Sequence, residues 1–150
     1  VWDYPADVLC ITTNGTVRRD GACVMGRGVA LDAKTKWPLL PYDIAAYIVK
    51  FGNTVRPIVK PYITEYIGIV MFPVKHEWHQ KADLKLIKRS ADELQRISTS
   101  GGPGGLFTYV LPRPGCGNGG LYWENVLPVL ADLPDNIHVI TRIEDRSHKN

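Results

Sequence analysis

The sequence has 150 residues, a length typical of one domain with one hydrophobic core. Hydrophobic residues make up 45% and charged residues 22%, which excludes a disordered chain, and no apolar run reaches the ~20 residues of a membrane helix. The net charge of +3 permits a phosphate-bearing ligand or a nucleic acid without requiring either.

The first half of the chain begins with a strand and two helices. The apolar run DVLCIT predicts a buried strand over Asp7–Thr12. Apolar residues at helical spacing predict helices over Val29–Trp37 and Tyr42–Phe51. The segment Thr54–Val59 is typical of an edge strand, because Pro57 within it has no N–H to donate to a central ladder.

The second half alternates strands with helices. The run IGIVMF predicts the clearest buried strand, Ile67–Phe72, which the proline after it is expected to end. Apolar residues that recur every three or four positions predict a helix over Lys81–Ser98. A strand over Leu106–Leu111, a helix over Glu124–Leu133 and a last strand over Ile137–Thr141 follow. This alternation favours α/β layering around a largely parallel or mixed sheet.

Two glycine-rich loops precede predicted helices. They are VMGRGVA, before the first helix, and PGCGNGGLYW, before the last long one. In α/β sheets ligands bind beyond the carboxyl ends of the strands, where loops lead into helices. Glycine permits close approach, and backbone amides at a helix start favour an anion, so together the loops are suited to a diphosphate. The alternative is that each loop is only a tight turn.

Four segments, ITTN, VMGRGVAL, FPVKHEW and PRPGCGNGGLYWENV, resemble the macro domains, α/β modules that bind ADP-ribose. More narrowly, these segments are similar to the branch that contains the DarG antitoxins and the human terminal ADP-ribose protein glycohydrolase. It implies a single three-layer α/β/α macro domain over residues 1–150, with a mixed, largely parallel central sheet. Because the chain starts at Val1 without Met, we expect that the extreme N-terminal strand can lie outside it. The family's acidic adenine contact would then precede Val1, and Asp3 is a weak substitute.

The resemblance also assigns ligand-binding residues. Asn14 matches an asparagine near the distal ribose, although a turn asparagine is the alternative. The family's first phosphate loop matches Met25, Gly26, Arg27, Gly28 and Val29. The second matches Gly115, Cys116, Gly117, Asn118 and Gly119, and leads into Leu121 and Tyr122. We interpret Cys116 as a small residue that fills this loop rather than as a nucleophile.

Lys75 is the candidate catalytic residue. It follows the clearest strand closely, so it should project from the carboxyl end of that strand, and in this branch a lysine at the motif position is tied to catalysis. A desolvated lysine near cations has a lowered pKa and can act as a nucleophile or base, whereas a solvated lysine is the alternative. The human glycohydrolase has an acidic residue where this chain has Gly119. An acid-assisted mechanism would therefore need Asp20 or Glu77.

Two other groups of residues are candidates for a metal site or a nucleic-acid contact. His76 and His79 lack further ligands at a convincing spacing, so we expect no metal site, and Trp78 between them is a candidate to flank the ligand. The loop arginines Arg18 and Arg19 leave a DNA substrate open, with a solubilising surface as the alternative. The three cysteines have no paired spacing, which favours a reducing compartment.

The resemblance implies an enzyme, an ADP-ribosyl glycohydrolase that removes ADP-ribose from DNA or protein and so reverses ADP-ribosylation. One alternative is a phosphatase that acts on ADP-ribose 1″-phosphate. Another is a non-catalytic binder of ADP-ribose or a related NAD-derived nucleotide, which the missing acid at Gly119 favours. We expect no cofactor, ADP-ribose being ligand or product. We also expect a cytoplasmic monomer with no membrane partner, and the short length suits a prokaryotic or phage protein.

Overall fold

The computed structural model describes residues 3–58, 66–101 and 106–141. Its helices and strands, in chain order, are β1 Val8–Asn14, α1 Gly28–Lys36, α2 Leu40–Phe51, β2 Arg56–Ile58, β3 Gly68–Lys75, α3 Leu84–Ser98, β4 Tyr109–Pro112, α4 Trp123–Val126 and β5 Ile137–Ile140. The predicted end of the second strand, Val59, lies outside the described residues. No helix in the described ranges has the length and apolar character needed to cross a bilayer.

The strands form one five-stranded sheet in the order β2-β3-β1-β4-β5. β1 pairs in parallel with β3 and with β4, and β4 pairs in parallel with β5. β2 lies at one edge and runs antiparallel to β3. The expected mixed, largely parallel sheet is therefore confirmed, with Pro57 in an edge strand where its missing N–H is tolerated.

Helices cover both faces of this sheet. Side chains along β1 alternate between the two faces, as they do in any strand. Leu9 and Ile11 pack with buried residues of α1 and α2, whereas Val8 and Cys10 pack with buried residues of α3 and α4. The predicted three-layer α/β/α arrangement is confirmed.

Pro73 does not end β3, the strand predicted at Ile67–Phe72, so that prediction was wrong. β3 continues to Lys75. β2 pairs with residues 69–71, and Pro73 lies beyond that pairing, where its missing N–H leaves no bond to β2 unmade. The hydroxyl of Ser90 in α3 donates a hydrogen bond of 2.7 Å to the Pro73 carbonyl. The strand therefore extends farther than predicted and brings Lys75 to the carboxyl edge of the sheet.

The last predicted helix, Glu124–Leu133, is broken. α4 ends at Val126, and a 3-10 helix, Leu127–Leu130, follows it. Pro128 has no N–H for the carbonyl four residues earlier, so an α-helix cannot continue regularly through it. Apolar spacing alone predicts one continuous helix here, whereas Pro128 carries the local signal for the break.

Two further elements begin later than predicted. α3 begins at Leu84 rather than Lys81, because the Asp83 carboxylate caps it by accepting the Lys85 N–H. β4 begins at Tyr109 rather than Leu106, and the residue before it, Thr108, gives its N–H to the carboxylate of Asp7 at 2.8 Å.

Candidate functional site

Three neighbouring strands end at the same edge of the sheet. In the order β3-β1-β4 they bring Lys75, Asn14 and the loop after Pro112 to that edge. A cavity of about 660 Å³ opens there, which is within the range of small-molecule sites. The carboxyl edge of a parallel sheet is where α/β proteins bind ligands, so this cavity is the candidate site.

Most of the predicted site residues border this cavity. They are Asn14, Met25, Gly26, Arg27, Gly28, Val29, Lys75, Gly115, Cys116, Asn118 and Gly119. Gly117, Leu121 and Tyr122 are not among its lining residues. Leu121 packs against the core beneath α3, and Tyr122 is 68% exposed. The fold thus brings Lys75 and both glycine loops together, while their contacts with a ligand stay a prediction.

Arg27 and Gly28 form the junction between the first loop and α1. Arg27 is extended and precedes the helix, and Gly28, its first residue, has a φ of +62° that favours glycine. The first N–H groups of an α-helix have no partner within the helix and attract anions. The first turn of α1 contains no acidic residue, so no carboxylate there competes with a bound anion.

Gly115 fixes the second loop beneath the cavity. Its φ is +79°, and an added Cβ would lie 2.6 Å from Cδ1 of Ile87 and 2.9 Å from Cδ1 of Leu121. The N–H of Leu121 donates to the Gly115 carbonyl at 3.0 Å, which closes the loop. The backbone conformation at Gly115 therefore favours glycine, and an added Cβ would require the side-chain ends of Ile87 and Leu121 to shift.

Replacing Gly115 with alanine is expected to lower the free energy of unfolding by about 2–4 kcal/mol, because strain and overpacking add. Urea denaturation of wild type and variant measures this. Gly68→Ala is the matched control, since a Cβ there meets Val8 at an ordinary 3.7 Å. Equal stability of Gly115→Ala and Gly68→Ala would contradict the packing described.

The charge of the cavity lining is positive. It includes Arg27 and Lys75, and none of the described residues that line it is an aspartate or glutamate. Burial, with a smaller contribution from the positive charge of Arg27, lowers the pKa of Lys75 below its ordinary value. The Nζ of Lys75 donates to the Trp78 carbonyl at 3.3 Å. The cavity is thus suited to an anion and holds an amine that loses its proton more readily than a solvated lysine.

Neither candidate acid reaches the cavity lining. The Glu77 carboxylate accepts a hydrogen bond of 2.7 Å from the Thr16 hydroxyl. Asp20 forms an ion pair of 3.3 Å with Arg18. Neither borders the cavity, and the exposed Asp3 does not border it either. The described residues therefore place no carboxylate where it would assist Lys75.

The amide of Asn14 takes part in local structure. Its Nδ2 donates to the Val24 carbonyl at 2.9 Å, and its Oδ1 accepts the Thr16 N–H at 3.0 Å. The second contact is a turn of the kind that asparagine commonly forms. The Cys23 thiol also donates to Oδ1 at 3.8 Å, so the second N–H of the amide is the group left for a ribose hydroxyl.

The described histidines and cysteines form no cluster that could hold a metal ion. No group of three or more metal-ligating side chains occurs within the described ranges. Nε2 of His76 lies 2.7 Å from the Asp83 carboxylate, which is a pairing typical of a surface. No disulfide joins the three cysteines, and burial raises the pKa of Cys10 and Cys23, so the thiols of these two are poor nucleophiles.

Trp78, the candidate to flank the ligand, also lines the cavity. Six further lining residues were absent from the predicted binding set, namely Thr12, Thr13, Val24, Ala30, Val74 and His79. Thr13 is 4% exposed, and its hydroxyl has no hydrogen-bond partner among the described residues. An unpaired buried hydroxyl costs about 1–3 kcal/mol, which a ligand that bonds to it would recover. No sequence signal marks Thr13, because threonine is ordinary in a strand.

Comparison with known proteins identifies the fold. No family model matches the sequence, and no curated protein sequence matches it. The macrodomain of Mycobacterium tuberculosis DarG matches with a TM-score of 0.72 at 22% identity, over 93% of this chain and 90% of that chain. The macrodomain of Thermus aquaticus DarG matches with a TM-score of 0.67 at 22% identity, over 91% of this chain and 89% of that chain.

A third similar structure is a complex with a ligand. Thermosipho africanus DarTG in complex with ADP-ribose matches with a TM-score of 0.72 at 19% identity, over 93% of this chain and 39% of that chain. These likenesses extend over nearly the whole chain at low identity. Together with the sheet order and the helical layers, they show that this chain has the macrodomain fold.

Proposed function

We propose that the protein binds ADP-ribose and hydrolyses ADP-ribosyl linkages on DNA or protein. The observation that carries the proposal is the position of Lys75, an amine of lowered pKa in the same anion-suited cavity as both glycine loops. The likeness to Thermosipho africanus DarTG in complex with ADP-ribose supports the choice of ligand.

The diphosphate of ADP-ribose fits the region between the two glycine loops. Free N–H groups at the start of α1 and the Arg27 guanidinium supply donors on one side. The second loop, from Gly115 to Gly119, supplies backbone on the other side. We propose that Asn14 contacts the distal ribose, since it ends β1 beside Lys75.

The chemistry then takes place at the anomeric carbon of the distal ribose. In one route the neutral amine of Lys75 displaces the leaving group at this carbon, and water then displaces the lysine. In the other route the amine removes a proton from the water that displaces the leaving group. Hydrolysis adds a hydroxyl group to the ribose and a proton to the leaving group. With no carboxylate among the described lining residues, that proton comes from the lysine itself or from water.

The test of this function has a binding step and a turnover step. Titration calorimetry with free ADP-ribose is expected to show saturable binding by the wild-type protein. Incubation with ADP-ribosylated single-stranded DNA and with ADP-ribosylated protein is expected to release ADP-ribose from one of them. Phosphate release from ADP-ribose 1″-phosphate would favour a phosphatase instead. Binding without any release would establish a binder, and no binding at about millimolar ligand would overturn the proposal.

We further propose that the protein acts as a monomer in the cytoplasm, and that it is prokaryotic or from a phage. Three cysteines without a disulfide among them, two of which are buried, support a reducing compartment. Sedimentation analysis tests the monomer directly.

A further inference from the structure

We propose that Thr16 is a positioning residue, whose hydroxyl holds the Lys75 amine in place within the cavity. Thr16 lies outside the cavity lining, in the loop after β1, and no motif of the sequence singles it out. Only the expected change in the rate of ADP-ribose release rests on the proposed function. The position and protonation of Lys75 test it separately.

The Thr16 side chain binds the segment that follows β3. Its hydroxyl donates to the Glu77 carboxylate at 2.7 Å and accepts the Trp78 N–H at 2.8 Å. The Trp78 carbonyl in turn accepts the hydrogen bond from the Lys75 Nζ at 3.3 Å. One hydroxyl therefore fixes the peptide segment to which the lysine amine is bonded.

The backbone of Thr16 is fixed by the ligand loops. Its N–H donates to Oδ1 of Asn14 at 3.0 Å, and its carbonyl accepts the Val24 N–H at 3.2 Å. Asn14 ends β1, and Val24 begins the first glycine loop. Thr16 thus links both predicted binding elements to the segment that orients Lys75.

Other bonds hold the backbone when the hydroxyl is removed. The Gly15 N–H donates to the His76 carbonyl at 3.2 Å, and Nδ2 of Asn53 donates to the Lys75 carbonyl at 2.9 Å. The backbone bonds of Thr16 are also independent of its side chain. A Thr16→Val protein should therefore fold, keep the binding loops and lose only the two bonds of the hydroxyl, to the Glu77 carboxylate and to the Trp78 N–H.

The experiment compares Thr16→Val with Thr16→Ser, which keeps the hydroxyl. Thr35→Val is the matched control, because the exposed Thr35 hydroxyl bonds only to the Leu31 carbonyl of its own helix in the described contacts. The first measurement is the pKa of Lys75 by NMR of ¹³C-methylated lysines, with the Lys75 signal assigned by its absence in Lys75→Arg. The second is the affinity for ADP-ribose beside the rate of ADP-ribose release.

We expect Thr16→Val to move the pKa of Lys75 by about half a unit or more towards its ordinary value, because a loosened Trp78 segment exposes the amine. The release rate should fall roughly tenfold to a hundredfold with affinity within about threefold of wild type. Thr16→Ser and Thr35→Val should resemble wild type in each measurement.

An unchanged Lys75 pKa in Thr16→Val would overturn the proposal, as would a Thr16→Ser protein impaired as severely as Thr16→Val. Thr16→Ala serves the same comparison if the valine variant does not fold. A wild-type protein that releases no ADP-ribose would overturn the proposed hydrolysis instead. The Lys75 titration would then still decide the role of Thr16.

Discussion

Replacing Lys75 with alanine is expected to lower the rate of ADP-ribose release by about a hundredfold or more. Affinity for free ADP-ribose should stay within a few-fold of wild type, because backbone amides of two loops and Arg27 supply the proposed anion contacts. Single-turnover release from modified DNA or protein, with calorimetry alongside, separates the two quantities. Lys34→Ala is the matched control, since Lys34 is exposed on α1.

Lys75→Arg distinguishes chemistry from charge. Arginine keeps a cation in the cavity but holds its proton at any ordinary pH, so it cannot act as a nucleophile or base. We expect Lys75→Arg to bind ADP-ribose and to release as little product as Lys75→Ala. A fully active Lys75→Arg protein would show that Lys75 serves only as a charge.

The pH dependence follows from the lowered pKa of Lys75. The neutral amine is the reactive form, so the release rate should increase as pH rises through that pKa. Since burial and the charge of Arg27 lower the pKa, the increase should occur below the pH at which a solvated lysine titrates. If the release rate of Lys75→Arg no longer increases with pH, the increase in the wild type reports the titration of Lys75.

Replacing Gly26 with glutamate is expected to weaken ADP-ribose binding by a hundredfold or more. Gly26 borders the cavity in the first loop, outside the left-handed backbone region, and an added Cβ meets no atom within 4 Å. The fold should therefore accept the side chain, which puts a carboxylate beside the proposed diphosphate. A like-charge contact of this kind costs several kcal/mol, and each 1.4 kcal/mol is about tenfold in affinity.

Thr35→Glu is the control for net charge, because Thr35 is exposed on α1 and outside the cavity lining. It should bind ADP-ribose as the wild type does. Thermal unfolding of both variants confirms that they fold. If Gly26→Glu is folded and still binds with wild-type affinity, the diphosphate does not occupy the first loop.

Local sequence patterns located part of the candidate site, and the family resemblance supplied the rest. Glycines before a helix indicate a loop that backbone amides can line, wherever the rest of the chain lies. The apolar run before Lys75 indicates a buried strand, so the lysine was expected at the carboxyl end of that strand. The role of Asn14 and the catalytic role of Lys75 came from the resemblance to the macro domains.

Proline and cap effects required more than periodicity. Pro73 is compatible with β3 because β2 pairs with earlier residues of that strand, a fact of sheet pairing that the local sequence does not contain. Pro128 and Asp83, by contrast, carry local signals for a broken helix and a helix cap that could be read directly. The strand end at Pro73 could not be predicted without the sheet pairing, whereas the helix break at Pro128 and the helix start after Asp83 could have been predicted from the sequence.

The sequence by itself determined the α/β class and the two glycine loops, because these depend on residue type and short-range spacing, and its motifs supplied the resemblance that marks Lys75. Only the tertiary structure decided which groups lie around the lysine. Thr16 and Trp78 are 62 residues apart in the chain, yet the Thr16 hydroxyl accepts the Trp78 N–H, and the Trp78 carbonyl accepts the hydrogen bond of Lys75. The distance of Asp20 and Glu77 from the cavity was also decided by folding. Contacts between separate loops depend on how the strands are ordered in the sheet, and no local pattern encodes that order.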